Sequence, residues 1–207
     1  MSLQHFLGYK KRMTQTLDAT GKMRAVTVIG TDTHSVTQVK TVETDGYTAV
    51  QVGFDIVQSR KVNKAQIGHM ADMQPVRHMR EFPGTEVSHG DQINPLTELS
   101  IGTPVSVAGI SKGKGFQGVV KRYNFKGDKR THGRKHSERK AGSIGGGGRA
   151  GGRVAKGMRM AGRMGNDRVT VKGLEILYTN LETKELFVSG AVPGRKGTLL
   201  EISVTKK

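Results

Sequence analysis

The sequence predicts a mainly β protein: a small β-barrel domain with a long basic, largely irregular loop extension inserted between two of its strands. Three observations lead to that class. Short runs rich in Val, Ile and Thr, bounded by Gly, Asp, Asn and Pro, lie on both sides of the middle of the chain. The middle itself, Gly109 to Lys172, holds 18 Lys/Arg against 3 Asp/Glu, a net +15 of the chain's +17, which leaves +2 for the other 143 residues. Glycine interrupts this stretch too often for a long helix, since each costs roughly 1 kcal/mol relative to Ala.

Taken in order, Asp18 to Gly21 reads as a turn, and Ala25 to Ile29 as the core of a strand. Ser35 to Val42 alternates apolar and polar residues, the mark of a half-buried strand. Thr44-Asp45-Gly46-Tyr47 is a turn, because Asp-Gly tolerates positive φ. Thr48 to Phe54 forms a further strand, and these spacings suit an antiparallel sheet curling into a barrel. Lys64 to Arg80 has no β-branched run and reads as a short helix; Glu81 to Pro95 has turn chemistry; Thr103 to Ala108 resumes a strand. Beyond the basic stretch, Asp167–Val171, Leu174–Tyr178, Glu185–Ser189 and Thr198–Val204 are four short β-like runs, with turns at 179–184 and 193–197. The simplest organisation joins 1–108 and 166–207 in one β-barrel domain, with 109–165 as a basic, glycine-rich extension.

Composition excludes several classes. The absence of cysteine removes disulfides and thiolate metal sites. No apolar run approaches the roughly 18 residues that cross a bilayer, and Met1 to Gly8 lacks the apolar region of a secretory signal. A soluble cytoplasmic protein is expected, without membrane association or homo-oligomerisation. A segment as cationic as 109–172 repels itself and has little to bury, so it calls for a long polyanion, with RNA the better fit than a membrane surface.

Within the extension, Ser111 to Gly118 sets Lys112 and Lys114 among glycines whose N–H groups can cradle phosphate, but the spacing is not that of a P-loop. Lys121, Arg122 and Lys126 surround Tyr123 and Phe125; Tyr123 either stacks on an unpaired base or packs in a core. His132 and His136 would share one face of a helix, yet Gly133 weakens it and no third ligand stands by, so Arg130, His132, Arg134, Lys135, His136, Arg139 and Lys140 read as phosphate or sugar contacts, with no metal. Asp128, Glu138 and Asp167 are scattered acids, and neither paired carboxylates nor a nucleophile–base arrangement occurs, so no catalytic residue and no cofactor are expected. Gly142 to Arg153 is nearly all glycine and arginine, a loop tip able to enter a narrow space, with Arg149 and Arg153 as its charges. From Lys156 to Gly165, Met158, Met160 and Met164 alternate with Arg159 and Arg163; the methionines read as fillers and the arginines as phosphate forks.

Several of these words together resemble one family: Thr44–Phe54, Lys61–Lys64 with Gly68-His69, Arg80–Phe82, Ser111–Gly118, Gly142–Gly145, Met160–Gly162 with Met164-Gly165, Arg168–Val171 and Gly190–Gly194. In order and spacing they are similar to the bacterial form of the large-subunit ribosomal protein L-three family, over nearly the whole chain. The resemblance implies a surface β-barrel domain and a loop threading large-subunit rRNA toward the peptidyl transferase centre, with Gly145, Gly146, Gly147, Gly148 and Arg149 at the tip. It further implies a role early in subunit assembly, neighbouring large-subunit ribosomal proteins as partners, and no catalysis by the protein. Two positions depart from the family pattern. Arg12 stands where a glycine is usual, so the turn there must be remodelled, and Gly146 stands where many members carry Gln, so side-chain methylation is impossible. The departures leave open a divergent bacterial lineage or an organellar ribosome. The alternative to a ribosomal constituent is a free cytoplasmic RNA chaperone or translation-factor-like module; an enzyme holding a nucleotide is disfavoured by the missing acid/base groups.

Overall fold

A computed structural model describes residues 4–17, 21–70, 73–84, 87–145 and 152–205. The chain divides into two compact units, Met1–Ile110 with Arg168–Lys207, and Ser111–Asp167. The first unit is built on a closed antiparallel barrel of β1 (His5–Leu17), β2 (Met23–Gly30), β7 (Pro104–Ile110), β10 (Arg168–Asn180), β11 (Glu185–Ser189) and β12 (Leu199–Val204), in the order β1-β12-β7-β10-β11-β2. Period-two alternation fills its interior: Val105 and Val107, Leu186 and Val188, Leu200 and Ile202 are wholly buried at every second position. Ile202 lies opposite Val107, and Leu186 opposite Ile29, so neighbouring strands present apolar residues at matched heights.

β2 pairs with β1 on one edge and with β11 on the other. It has no free edge to offer. The strands read at 35–42 and 48–54 therefore leave the barrel and form a second sheet, in which β3 (His34–Lys40), β4 (Ala49–Ile56), β5 (Val76–Phe82) and β6 (Gln92–Ile93) run in the order β5-β4-β3-β6. Between β3 and β4, α1 (Val42–Asp45) ends on Gly46 at φ 80°, as the Asp-Gly turn requires. Val36, Val50, Val52, Phe54 and Phe82 of this sheet join Phe6, Leu7 and Ile29 of the barrel in one continuous core. His34 ties the two: its Nε2 accepts the Leu7 N–H at 2.7 Å and its Nδ1 donates to the Asp32 carbonyl at 2.7 Å, with the ring against Phe6 and Phe54.

Three local expectations change. Residues 64–80, expected as a helix, split into α2 (Lys64–His69), capped by the Asn63 side chain, and edge strand β5, whose Arg77, His78 and Arg80 hide its β character. A further turn, α3 (Pro95–Glu98), follows β6 and is capped by Asn94. The runs 167–171 and 174–178 fuse into β10, with register shifts between Val171 and Leu174, where Gly173 takes φ 73°, and between Ile176 and Tyr178. No turn exists at Arg12: β1 runs through it, with a register shift between Lys10 and Arg12. That places Arg12 on Glu185 through two hydrogen bonds of 3.1 Å, while Lys11 Nζ reaches the same carboxylate at 3.1 Å. Burial pushes the Glu185 carboxyl up, but hydrogen bonds from Lys11 and Arg12 outweigh it and hold it below the usual carboxylate range.

Candidate nucleic-acid interface

The second unit lies in the chain between β7 and β10. At its base the Ser111 N–H donates to the Asp167 carbonyl at 2.9 Å, and Lys114 N–H to the Met164 carbonyl at 2.9 Å. The short strands β8 (Phe116–Gln117) and β9 (Gly162–Arg163) pair next, Phe116 opposite Arg163. One turn of helix, α4 (Val119–Tyr123), follows Gly118 and stops at Asn124, which takes a left-handed φ of 59°. Val119 is the one buried residue among the described residues of this unit. So little apolar burial means that geometry here rests on backbone ties and charge pairs rather than on a core.

Arg122 is a tie of that kind. Its guanidinium donates to the Met160 carbonyl at 2.9 Å and lies 5.0 Å from the Tyr123 ring centroid, while Arg159 stands 5.8 Å from the same ring. The Tyr123 ring is thus engaged by two guanidinium groups and has Phe125 beside it at 6.3 Å. Met158 and Met160 are each 38% exposed, so they do not act as interior fillers within this unit.

The segment 125–142 is more ordered than its composition suggests. Arg130 Nε donates to Glu138 at 2.7 Å and Arg134 Nη1 to Asp128 at 2.8 Å, so two acids that look scattered in the sequence close a small loop. Asp128 N–H donates to the Glu138 carbonyl at 3.0 Å, and Gly127 sits so near that a Cβ there would lie 2.1 Å from that same oxygen. A hydrogen bond from the Lys129 N–H, then the nearby Ser137 hydroxyl and Arg134, hold the Asp128 carboxyl below its ordinary range. His132 and His136 both take positive φ in turns and share no helix face, and no group of metal-ligating side chains occurs among the described residues.

Lys112, Lys114, Lys121, Lys135, Arg139, Lys140, Arg153, Lys156 and Arg163 are exposed, as are Arg130, Arg134 and Arg159. Gly145 pairs with Val154 in an isolated bridge that closes the tip, whereas Gly146, Gly147, Gly148 and Arg149 lie outside the described residues. The unit carries 16 Lys/Arg and 3 Asp/Glu. What the sequence reading missed is the loop closed by Asp128 and Glu138, and a cavity beneath Phe125. The available signal was an acid at each end of a basic run, with a glycine directly before the first.

The fold is a closed barrel that carries one inserted, strongly cationic unit with one buried residue among those described. Residues 91–189 match the family described as Ribosomal protein L3. The chain is 46% identical to the large ribosomal subunit protein uL3 of Herpetosiphon aurantiacus, over 99% of this chain and 98% of that one. It is 43% identical to the protein of the same name from Streptomyces avermitilis, over 99% and 97%, and 44% identical to that of Leifsonia xyli subsp. xyli, over 94% and 90%. The chain belongs to the ribosomal protein L3 family, of the bacterial type, and is a non-enzymatic structural constituent of the large ribosomal subunit in the cytoplasm.

Proposed function

We propose that the inserted unit binds large-subunit rRNA along its backbone, helps order it early in subunit assembly, and carries its glycine tip, Gly145 to Arg149, toward the peptidyl transferase centre. Neighbouring large-subunit proteins meet the barrel unit. The observation that carries this reading is the excess of 16 Lys/Arg over 3 Asp/Glu on a unit with one buried residue, Val119, among those described. Lys112, Lys114, Lys121, Arg122, Arg130, Arg134, Lys135, Arg139, Lys140, Arg149, Arg153, Lys156, Arg159 and Arg163 supply the phosphate contacts. His132 and His136 contact phosphate or sugar, and Tyr123, its ring engaged by Arg122 and Arg159, contacts the RNA beside them. Binding is driven by release of condensed counterions, so its logarithm falls linearly with the logarithm of salt concentration by roughly 0.7–0.9 per phosphate.

The test titrates the full-length protein with large-subunit rRNA at rising monovalent salt. A slope of several units is expected, and changing Lys156, Arg159 and Arg163 to Gln together should reduce it by about 2–3. A nearly flat plot, or one that ignores the triple substitution, refutes backbone binding by this unit.

A further inference from the structure

We propose that the cavity under the loop 125–142 is a receptor for a single unpaired RNA base bearing an exocyclic amine. This rests on the RNA-binding reading above and goes beyond it, because counterion release needs a cationic surface but no cavity. The cavity is a half-open cleft of about 660 Å3, lined by Phe125, Lys126, Asp128, Arg134, Ser137 and Lys140 with the intervening small residues. That volume falls within the roughly 300–1,000 Å3 typical of small-molecule sites and admits one nucleotide. It is a built feature: the ion pair of Arg134 with Asp128 joins two residues of its lining, and that of Arg130 with Glu138 closes the same loop.

Its lining divides into the three parts that recognition of a splayed-out nucleotide needs. Phe125 is half-buried and offers a ring face for stacking. Lys126 and Lys140 are exposed, and neither forms an ion pair among the described residues, so both can meet the flanking phosphates. Asp128 and Ser137 supply the edge-reading groups. Ser137 Oγ is shielded from solvent and has no hydrogen-bond partner in good geometry. A buried hydroxyl left unpaired is costly, and a base edge would satisfy it. The Asp128 carboxylate is held ionised by hydrogen bonds from the Lys129 N–H and the Arg134 guanidinium, each at 2.8 Å. It therefore accepts but does not donate, which favours the amine of adenine, cytosine or guanine over uracil, whose one Watson–Crick donor, N3–H, lies between two carbonyl oxygens that repel a carboxylate.

The experiment places a photo-crosslinker in the full-length protein, Phe125→p-benzoylphenylalanine, which keeps an aromatic ring in the cavity. A second protein carries the same group at Lys114 as a marker for general RNA proximity. Both are assembled into large subunits, irradiated, and the adducts mapped by primer extension. The expected result is one modified nucleotide at the Phe125 position, an A, C or G. In subunits carrying Ser137→Ala that base should react about fivefold more with Watson–Crick-edge reagents, the loss of one hydrogen bond of roughly 1 kcal/mol. Adducts spread over many nucleotides, adducts to protein alone, a uracil, or unchanged reactivity in Ser137→Ala overturn the receptor while the Lys114 probe still marks RNA. If neither probe marks RNA, the RNA-binding reading fails and the receptor falls with it. If Ser137→Ala does not enter subunits, the Phe125 map decides alone.

Discussion

His34 is the polar keystone of the first unit, and its titration should be visible in stability. The ring is fully buried, accepts the Leu7 N–H and donates to the Asp32 carbonyl, so it must stay neutral where it sits. Burial drives its pKa down from 6.5 to about 4, against weaker opposing pulls from its hydrogen bonds and from the Asp32 charge. The unfolded chain binds this proton near pH 6.5 and the folded one only near pH 4, so the contribution is complete above pH 6.5 and is lost as pH falls toward 4. The full shift corresponds to about 3 kcal/mol, of which about 2.5 is gone by pH 4.5. That is a large part of the roughly 5–15 kcal/mol that holds a domain folded.

The assay compares urea unfolding of wild type and His34→Gln at several pH values from 7 to 4.5. The variant is expected to be less stable at neutral pH by about 1–3 kcal/mol, because the Leu7 N–H loses its partner. Its further loss on acidification should be smaller than that of wild type by about 2.5 kcal/mol. Self-repulsion of a +17 chain at low pH affects both proteins and cancels in the difference. His5 and His78 are lowered in the same sense, chiefly by burial, and are present in both. Parallel pH profiles for the two proteins would refute the account, since they would mean that His34 titrates alike in the folded and unfolded chains.

Three further outcomes follow from named contacts. Glu185→Gln should lower stability by about 1 kcal/mol by thermal melting, the usual charged-pair value discounted because Arg12 is 56% exposed; an Arg12→Ala, Glu185→Gln double-mutant cycle should return a coupling of similar size. Gly127→Ala should loosen the loop 125–142 without moving the melting of the barrel, because its Cβ would meet the Glu138 carbonyl; trypsin cleavage between Lys126 and Lys140 should accelerate, and unchanged protection would count against the loop geometry. The Tyr9 hydroxyl, pushed up to about 12 by burial and by its 2.7 Å hydrogen bond to Asp55, should ionise in an ultraviolet titration well above its ordinary value of 10.0, and Asp55→Asn should bring it down.

Strands whose apolar residues alternate were legible from sequence. Val105 with Val107, Leu186 with Val188 and Leu200 with Ile202 mark β7, β11 and β12 without any knowledge of the fold. β1 was not legible, because Lys10-Lys11-Arg12 in its middle looks like surface loop until Glu185, some 170 residues on, receives Lys11 and Arg12. β5 was hidden for a related reason, its charges being tolerated only because it is an edge. The parting of the second sheet from the barrel is a closure effect: once β11 takes the free edge of β2, β3 has nowhere to add. In the inserted unit the summed charge and the glycine spacing were legible. The loop ties were not, because an ion pair such as Arg130 with Glu138 depends on the turns at His132 and His136, which no local pattern announces.

The two units solve opposite electrostatic problems with the same residue types. The first holds 18 Lys/Arg and 14 Asp/Glu, a net of +4, and spends its acids across strands: Glu185 on Lys11 and Arg12, Glu201 on Arg80 and Arg168, Asp32 on Lys184, Asp55 on Arg77. Its fold is carried by the barrel core, so these surface pairs adjust register and solubility more than they hold the chain together. The second holds 16 and 3, a net of +13, and its acids cannot neutralise it. Two of them are placed instead where a single carboxylate does the most geometric work, closing the loop that bounds the Phe125 cavity. More acids would have made this unit easier to fold alone and would have cancelled its positive field. Among the described residues only Arg130 and Arg134 of this unit form ion pairs, so its order rests on that loop and on backbone ties, while the apolar core lies in the other unit.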